Sequence, residues 1–193
     1  MTKIKICGLR RDEDIEYVNM ARPDYAGFVF APGRRQVTAE FARELRQRLR
    51  DGITPVGVFV GESAENILRA ANVARLEVVQ LHGDEDEECV GRLRREGMTV
   101  IKAVRMPSEV PETAADYLLF DNALAGSGES FDWAQLEPPS KPFFLAGGIN
   151  IGNVRDAIGM LKPYAVDVSS GVETDGVKDK DKISEIVRCV KNG

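Results

Sequence analysis

The stretch Asp167-Val-Ser-Ser-Gly-Val-Glu173 closes an apolar run, Tyr164-Ala-Val-Asp-Val168, that reads as a buried strand. The strand opens onto two hydroxyls, Ser169 and Ser170, and then Gly171. Upstream, Gly147-Gly148 closes a second apolar run, Phe143-Phe-Leu-Ala146. Two neighbouring strands thus end in small residues whose backbone N–H groups an anion can approach closely. In a (β/α)8 barrel a phosphate is often held by the loops after strands seven and eight. The pattern therefore predicts a phosphorylated small molecule as ligand, provided six more strands precede these two.

Six do. Short apolar, β-rich runs fall at 4–7, 25–30, 55–60, 78–81, 100–104 and 117–120, ahead of 143–146 and 164–168. Several are continuous rather than alternating, which suits strands covered on both faces of a parallel sheet. Helical patterns fill most gaps. Phe41, Leu45 and Leu49 recur every fourth residue, and Ser63 is placed to cap a helix bearing Ile67, Leu68 and Ala71. The next helix starts acidic at 84–88 and ends basic at Arg92, Arg94 and Arg95 before Gly97, as the helix dipole and a glycine stop require. Val154, Ala157, Ile158 and Leu161 share a face behind an Asn150 cap, and Ile183, Ile186, Val187 and Val190 share another. The stretch 106–115 holds two prolines and predicts only a short fifth helix; 122–140 reads as a Gly/Ser-rich loop with a helical piece near Trp133. Eight strands alternating with eight helices predict a small α/β TIM barrel spanning 1–193 as a single domain. The alternative, an open doubly wound sheet, lacks a GxGxxG after the first strand.

Composition narrows the function. Hydrophobic residues are 43% and charged residues 30%, the make-up of a soluble protein. A net charge of −5 gives no electrostatic basis for nucleic-acid binding. No apolar stretch approaches the roughly 20 residues that span a bilayer, and the start, Met-Thr-Lys-Ile-Lys-Ile-Cys-Gly, is too short and charged for a secretory signal. Three cysteines, Cys7, Cys89 and Cys189, without CxxC spacing fit neither a disulfide framework nor a structural zinc site. A cytoplasmic location with three free thiols is expected.

Active sites of such barrels lie at the C-terminal strand ends. Cys7-Gly8 ends the first strand; Cys7 is either a small buried apolar residue or a base or nucleophile with a lowered thiol pKa. Asp121 follows the apolar run 117–120 and either caps its loop or faces the site as a general acid. Arg34 and Arg35 are surface charges unless one leans over the mouth to grip a carboxylate in a two-point fork. His82, the only histidine, has no partners at metal-ligand spacing and reads as a supporting residue. Asp167, inside a strand, needs a partner or a place facing the site.

In order along the chain, Lys5-Ile-Cys-Gly8, Gly27-Phe-Val-Phe30 with Arg35, Val79-Gln-Leu-His-Gly83, Asp121, Gly126-Ser-Gly128 with Phe131-Asp-Trp133, Leu145-Ala-Gly-Gly-Ile149 and Asp167-Val-Ser-Ser-Gly-Val-Glu173 resemble the phosphoribosylanthranilate isomerase family. The resemblance implies an eight-stranded barrel that carries out a step of tryptophan biosynthesis, an aldose-to-ketose rearrangement, with no metal or cofactor. It implies Cys7 as general base and Asp121 as general acid. Arg35 would hold the anthranilate carboxylate, and Gly147, Gly148, Ser169, Ser170 and Gly171 the phosphate. The partner is a small phosphorylated substrate, with the chain a monomer or homodimer. The related sugar-phosphate isomerase of histidine biosynthesis typically has an aspartate where Cys7 stands, and a non-catalytic phosphate-binding barrel would need neither Cys7 nor Asp121.

Overall fold

The computed structural model describes residues 1–106, 110–122 and 138–192. Eight parallel strands close into a barrel: β1 Lys3–Cys7, β2 Tyr25–Val29, β3 Thr54–Phe59, β4 Val78–Leu81, β5 Thr99–Met106, β6 Tyr117–Asn122, β7 Phe143–Leu145 and β8 Ala165–Val168. The seam between first and last strands pairs Ile4 with Val166 and Lys5 with Asp167. Five helices, α1 Asp12–Ala21, α2 Ala39–Gln47, α3 Ala64–Ala74, α4 Glu87–Arg95 and α5 Val154–Leu161, follow β1, β2, β3, β4 and β7. After β8 the chain makes a 3₁₀ turn at Ser170–Val172 and a two-stranded hairpin, β9 Glu173–Thr174 with β10 Val177–Lys178. Helix α6, Lys180–Lys191, then ends the chain's regular structure.

The sequence expectations for strands hold to within a residue or two at most ends. The helix count does not reach eight among the described residues. The described part of the β5–β6 connection, 110–116, holds no helix, and two of its residues are prolines or precede one, which disfavours the α region. The loop at 126–128 and the piece at 131–133 lie outside the described residues.

Local chemistry explains the helix starts. Thr38, Ser63 and Asp86 each accept a bond from a backbone N–H three residues on, those of Phe41, Asn66 and Cys89. Asp179 accepts from Asp181 and Lys182 at the start of α6. The Asn150 cap is corrected. Helix α5 starts at Val154, while Asn150 makes a local turn, its amide oxygen accepting from Gly152 N–H at 2.8 Å. The expected α2 stripe also shifts. Ala42 and Leu45 are buried, Phe41 is exposed, and Leu49 lies past the helix end.

Two apolar regions result. Outward-facing residues such as Ile4, Ile6, Phe28, Val79, Leu118 and Val166 pack under the helices. Inside the barrel, Val56, Val78, Ile101, Leu119, Phe144 and Ala165 form one cluster. Because side chains alternate along a strand, two residues further up the interior turns polar: Lys5 on β1, Gln80 on β4, Asp121 on β6 and Asp167 on β8. Gly27 on β2 keeps that level open. A β-carbon there would stand 2.8 Å from Cys7 Sγ, 3.0 Å from the Cys7 α-carbon and 3.2 Å from Lys5 Cε. The main chain of β1 at Cys7 is held by the sheet and cannot swing aside as a side chain can. Gly27→Ala is therefore expected to lower stability by about 1–3 kcal/mol, seen as a lower urea midpoint with an unchanged m-value. An unchanged midpoint would mean that this level of the barrel is loosely packed.

Candidate active site

The groups singled out from sequence converge on the C-terminal end of the barrel. Cys7 is the last residue of β1, only 8% exposed. Asp121 is the penultimate residue of β6, with its side chain 16% exposed. Both strand positions point inward, so the two groups face the same mouth from different sides of the barrel.

A line of hydrogen bonds runs between those two strands. Lys5 Nζ, fully buried, donates to Asp167 Oδ2 at 2.7 Å and to Gln80 Oε1 at 2.6 Å. Gln80 Nε2 meets His82 Nδ1 at 2.7 Å, and His82 Nε2 meets Asp121 Oδ2 at 3.1 Å. His82 thus stands between Gln80 and Asp121, and Asp167 has the partner that its burial demanded. Asp167 uses one oxygen for the ion pair; its Oδ1 is buried without a hydrogen-bond partner among the described residues.

A second ionic cluster stands over Cys7. Glu173 takes Arg35 Nε at 2.7 Å and Arg35 Nη2 at 2.9 Å, a two-point fork. It also takes Lys178 Nζ at 2.8 Å and Arg34 Nη2 at 3.0 Å. Burial alone would raise the Glu173 carboxyl, but the bonds and charges of Arg35 and Lys178 win and hold it at about 2. Gly8, at φ +83°, makes room for this cluster, since a β-carbon there would run into the Arg35 side chain. The sequence left Arg34 and Arg35 open. Arg35 is the more enclosed, 24% against 57% exposed, and its charge reaches the Cys7 thiol.

The loops after β7 and β8 touch one another. Gly147 and Gly148 have φ of 80° and 73°, open to glycine and strained for other residues. The Gly148 carbonyl is tied by the side-chain amides of Asn150 and Asn153, each at 3.0 Å. A β-carbon on Gly171 would strike the Ile149 carbonyl oxygen. Ser169 Oγ donates to the Cys7 carbonyl at 3.1 Å, and Lys178 Nζ donates to the Ser169 carbonyl at 2.9 Å. All eight residues picked from sequence therefore lie around one mouth.

The electrostatics of Cys7 differ from expectation. Burial pushes its thiol up, and the nearby cations Lys5 and Lys178 offset this only in part, with Asp167 adding to the rise. The lowered thiol pKa expected of a base is not a property of the resting site. Four groups essential to this arrangement were not assigned a role from sequence: Lys5, Gln80, Glu173 and Lys178. Lys5 alternates with Ile4 and Ile6 and so looks like an exposed strand lysine; only barrel closure turns it inward.

The comparisons agree with the barrel fold. The family model described as N-(5'phosphoribosyl)anthranilate (PRA) isomerase matches residues 4–189. The chain belongs to the phosphoribosylanthranilate isomerase family. The N-(5'-phosphoribosyl)anthranilate isomerase of Endomicrobium trichonymphae is 48% identical over 199 aligned residues, covering all of both chains. The crystal structure of the Thermus thermophilus phosphoribosyl anthranilate isomerase superposes with a TM-score of 0.91 at 34% identity, covering 99% of each chain. A further member of the family, 35% identical over both full chains with a TM-score of 0.84, was solved in complex with reduced 1-(o-carboxyphenylamino)-1-deoxyribulose 5-phosphate. Among the described residues no helix is long and apolar enough to cross a membrane.

The thiol's surroundings lead to a direct expectation. In the unliganded protein at pH 7, Cys7 should react with iodoacetamide more slowly than free cysteine, the rate climbing as pH rises, because burial raises its pKa. The groups facing it that set this balance are Lys5, Asp167, Lys178 and Arg35. Labelling followed by peptide mass spectrometry checks it; a Cys7 faster than free cysteine at neutral pH would show that the cations outweigh burial.

Proposed function

We propose that this chain converts N-(5'-phosphoribosyl)anthranilate to 1-(2-carboxyphenylamino)-1-deoxyribulose 5-phosphate in tryptophan biosynthesis, with Cys7 as general base and Asp121 as general acid. Family membership supports the reaction. The observation that supports the residue roles is the placement of one thiol and one carboxyl on separate inward-facing strand ends, joined through a buried polar network.

Asp121 donates its proton to the ribose ring oxygen. The C1'–O bond breaks, the ring oxygen becomes a hydroxyl, and the anilino nitrogen's lone pair forms the C1'=N iminium. That cation acidifies the C2' hydrogen and adds a positive charge near Cys7, which favours the thiolate. The thiolate takes the C2' proton, and the C2'–H electron pair forms the C1'=C2' bond of an enolamine. Protonation at C1' and loss of the C2' hydroxyl proton give the ketone. The order matters: a thiol raised by burial ionises more readily once the iminium exists.

Arg35 holds the anthranilate carboxylate. Glu173 occupies its Nε edge and one Nη2 proton, leaving Nη1 to face a second carboxylate. The phosphate lies against the backbone of Gly147, Gly148, Ser169, Ser170 and Gly171, where bare glycines permit close approach. No metal or cofactor takes part in this scheme, because the iminium of the substrate itself carries the charge.

Cys7→Ala and Asp121→Asn are each expected to lower kcat by about two orders of magnitude or more, the scale of general acid–base catalysis. Loss of anthranilate fluorescence reports turnover, and a cleanly folded variant with near wild-type kcat would remove that residue from its role. Arg35→Met should raise KM by about one to two decades, the worth of a charge-assisted hydrogen bond of about 1.5–3 kcal/mol, with a smaller effect on kcat. A KM unchanged in Arg35→Met would transfer the carboxylate contact to Arg34.

A further inference from the structure

Donor and acceptor chemistry fixes the direction of every bond in the line that starts at Lys5. An ammonium only donates, so the Gln80 atom at 2.6 Å from Lys5 Nζ is the amide oxygen. The amide nitrogen therefore points the other way, to His82 Nδ1 at 2.7 Å. An amide NH2 also only donates, so Nδ1 accepts and carries no proton. The imidazole's proton is then on Nε2, which donates to Asp121 Oδ2 at 3.1 Å.

The anchor of this chain cannot turn round. Lys5 is wholly buried, and its salt bridge to Asp167 at 2.7 Å holds it as an ammonium: burial would lower its pKa, but Asp167 and Cys7 together more than offset this. Gln80, 1% exposed, has no room to reorient without facing its NH2 toward Lys5. A protonated His82 would likewise face an N–H toward an N–H at Gln80. The direction set at Lys5 is thus imposed on an imidazole just past β4 and a carboxyl on β6, strands that do not touch β1 in the barrel order.

We propose that Lys5, acting through Gln80 and His82, is the positioning residue that holds His82 as the neutral Nε2–H tautomer and orients the Asp121 carboxyl through the bond from Nε2 to Oδ2. The proposal rests on the reading of Asp121 as the general acid. It gives His82 the role of a neutral hydrogen-bond donor. An imidazolium in its place would keep Asp121 ionised and unable to supply a proton. The relay is built from bonds between neutral groups beyond Lys5, so it transmits orientation without transmitting charge.

Because His82 is the only histidine in the chain, its two imidazole nitrogens can be read by 15N NMR without ambiguity. In the wild-type protein at pH 7, Nδ1 should give the signal of an unprotonated nitrogen and Nε2 that of a protonated one. A protonated Nδ1, in either the other tautomer or the imidazolium, would overturn the proposal, and this needs no variant to fold. Gln80→Glu then reverses the relay while keeping shape and the bond to Lys5. Its carboxylate can only accept, so Nδ1 must take a proton and His82 becomes an imidazolium between two carboxylates. Nδ1 should move to the protonated signal, kcat should fall at least about tenfold, and KM should stay within about threefold, because a general acid is lost and no binding group is. A Gln80→Glu protein whose Nδ1 stays unprotonated, or whose Nδ1 changes while kcat does not, would overturn the proposal. The acid assignment itself is tested apart from this, by the rate of Asp121→Asn, so the relay and the general acid fail separately.

Discussion

The Lys5–Asp167 ion pair is the contact on which the rest of this structure depends. Taking an ammonium out of water costs several kcal/mol, and it is offset only where geometry is good and the remaining donors are used. Here the pair closes at 2.7 Å and a further donor goes to Gln80 at 2.6 Å. The two residues are also register partners on β1 and β8, the strands whose pairing closes the barrel. Closure of the fold and the electrostatics of the site are therefore one contact. Losing either partner alone would leave a charge stranded in the interior, a loss of about 3–5 kcal/mol.

From that pair the site reads as a charge balance. Among the described groups that act on Cys7 or cluster with those that do, Lys5, Lys178, Arg35 and Arg34 are cations, and Asp167 and Glu173 are anions. The excess is two positive charges beside a neutral thiol. Such a site favours negative charge arriving from the substrate or developing on sulfur, while burial keeps the resting thiol protonated. On the proposed mechanism, in which the thiol ionises only when the substrate iminium forms, Cys7 would be protected from stray alkylation and oxidation between turnovers.

Much of the fold was legible because parallel barrel strands are apolar on both faces and their run lengths match their geometry. The strand ends at Cys7 and Asp121 and the glycine loops at 147–148 and 169–171 were legible for the same reason, since small or polar residues break an apolar run where the chain reaches the mouth. What the sequence hid was the inward direction of polar residues within strands. Lys5 between Ile4 and Ile6, and Gln80 between Val79 and Leu81, carry the pattern of a half-exposed strand. Only the closed sheet, which has helices outside and a site within, inverts its meaning. Glu173 and Lys178 were hidden for a different reason. They sit on a short hairpin that a local reading has no cause to fold back over Cys7. The Asn150 cap failed because two asparagines, Asn150 and Asn153, compete for the same turn.

The central claim is that Cys7 removes the C2' proton of a substrate whose ring Asp121 has opened. Single-turnover rates with substrate deuterated at C2', compared with the protiated compound, test it most directly. A primary isotope effect in the wild-type protein, with the chemical step all but lost in Cys7→Ala, is the result this account predicts. A Cys7→Ala protein that keeps both the rate and the isotope effect would contradict it, because another group would then be taking the proton.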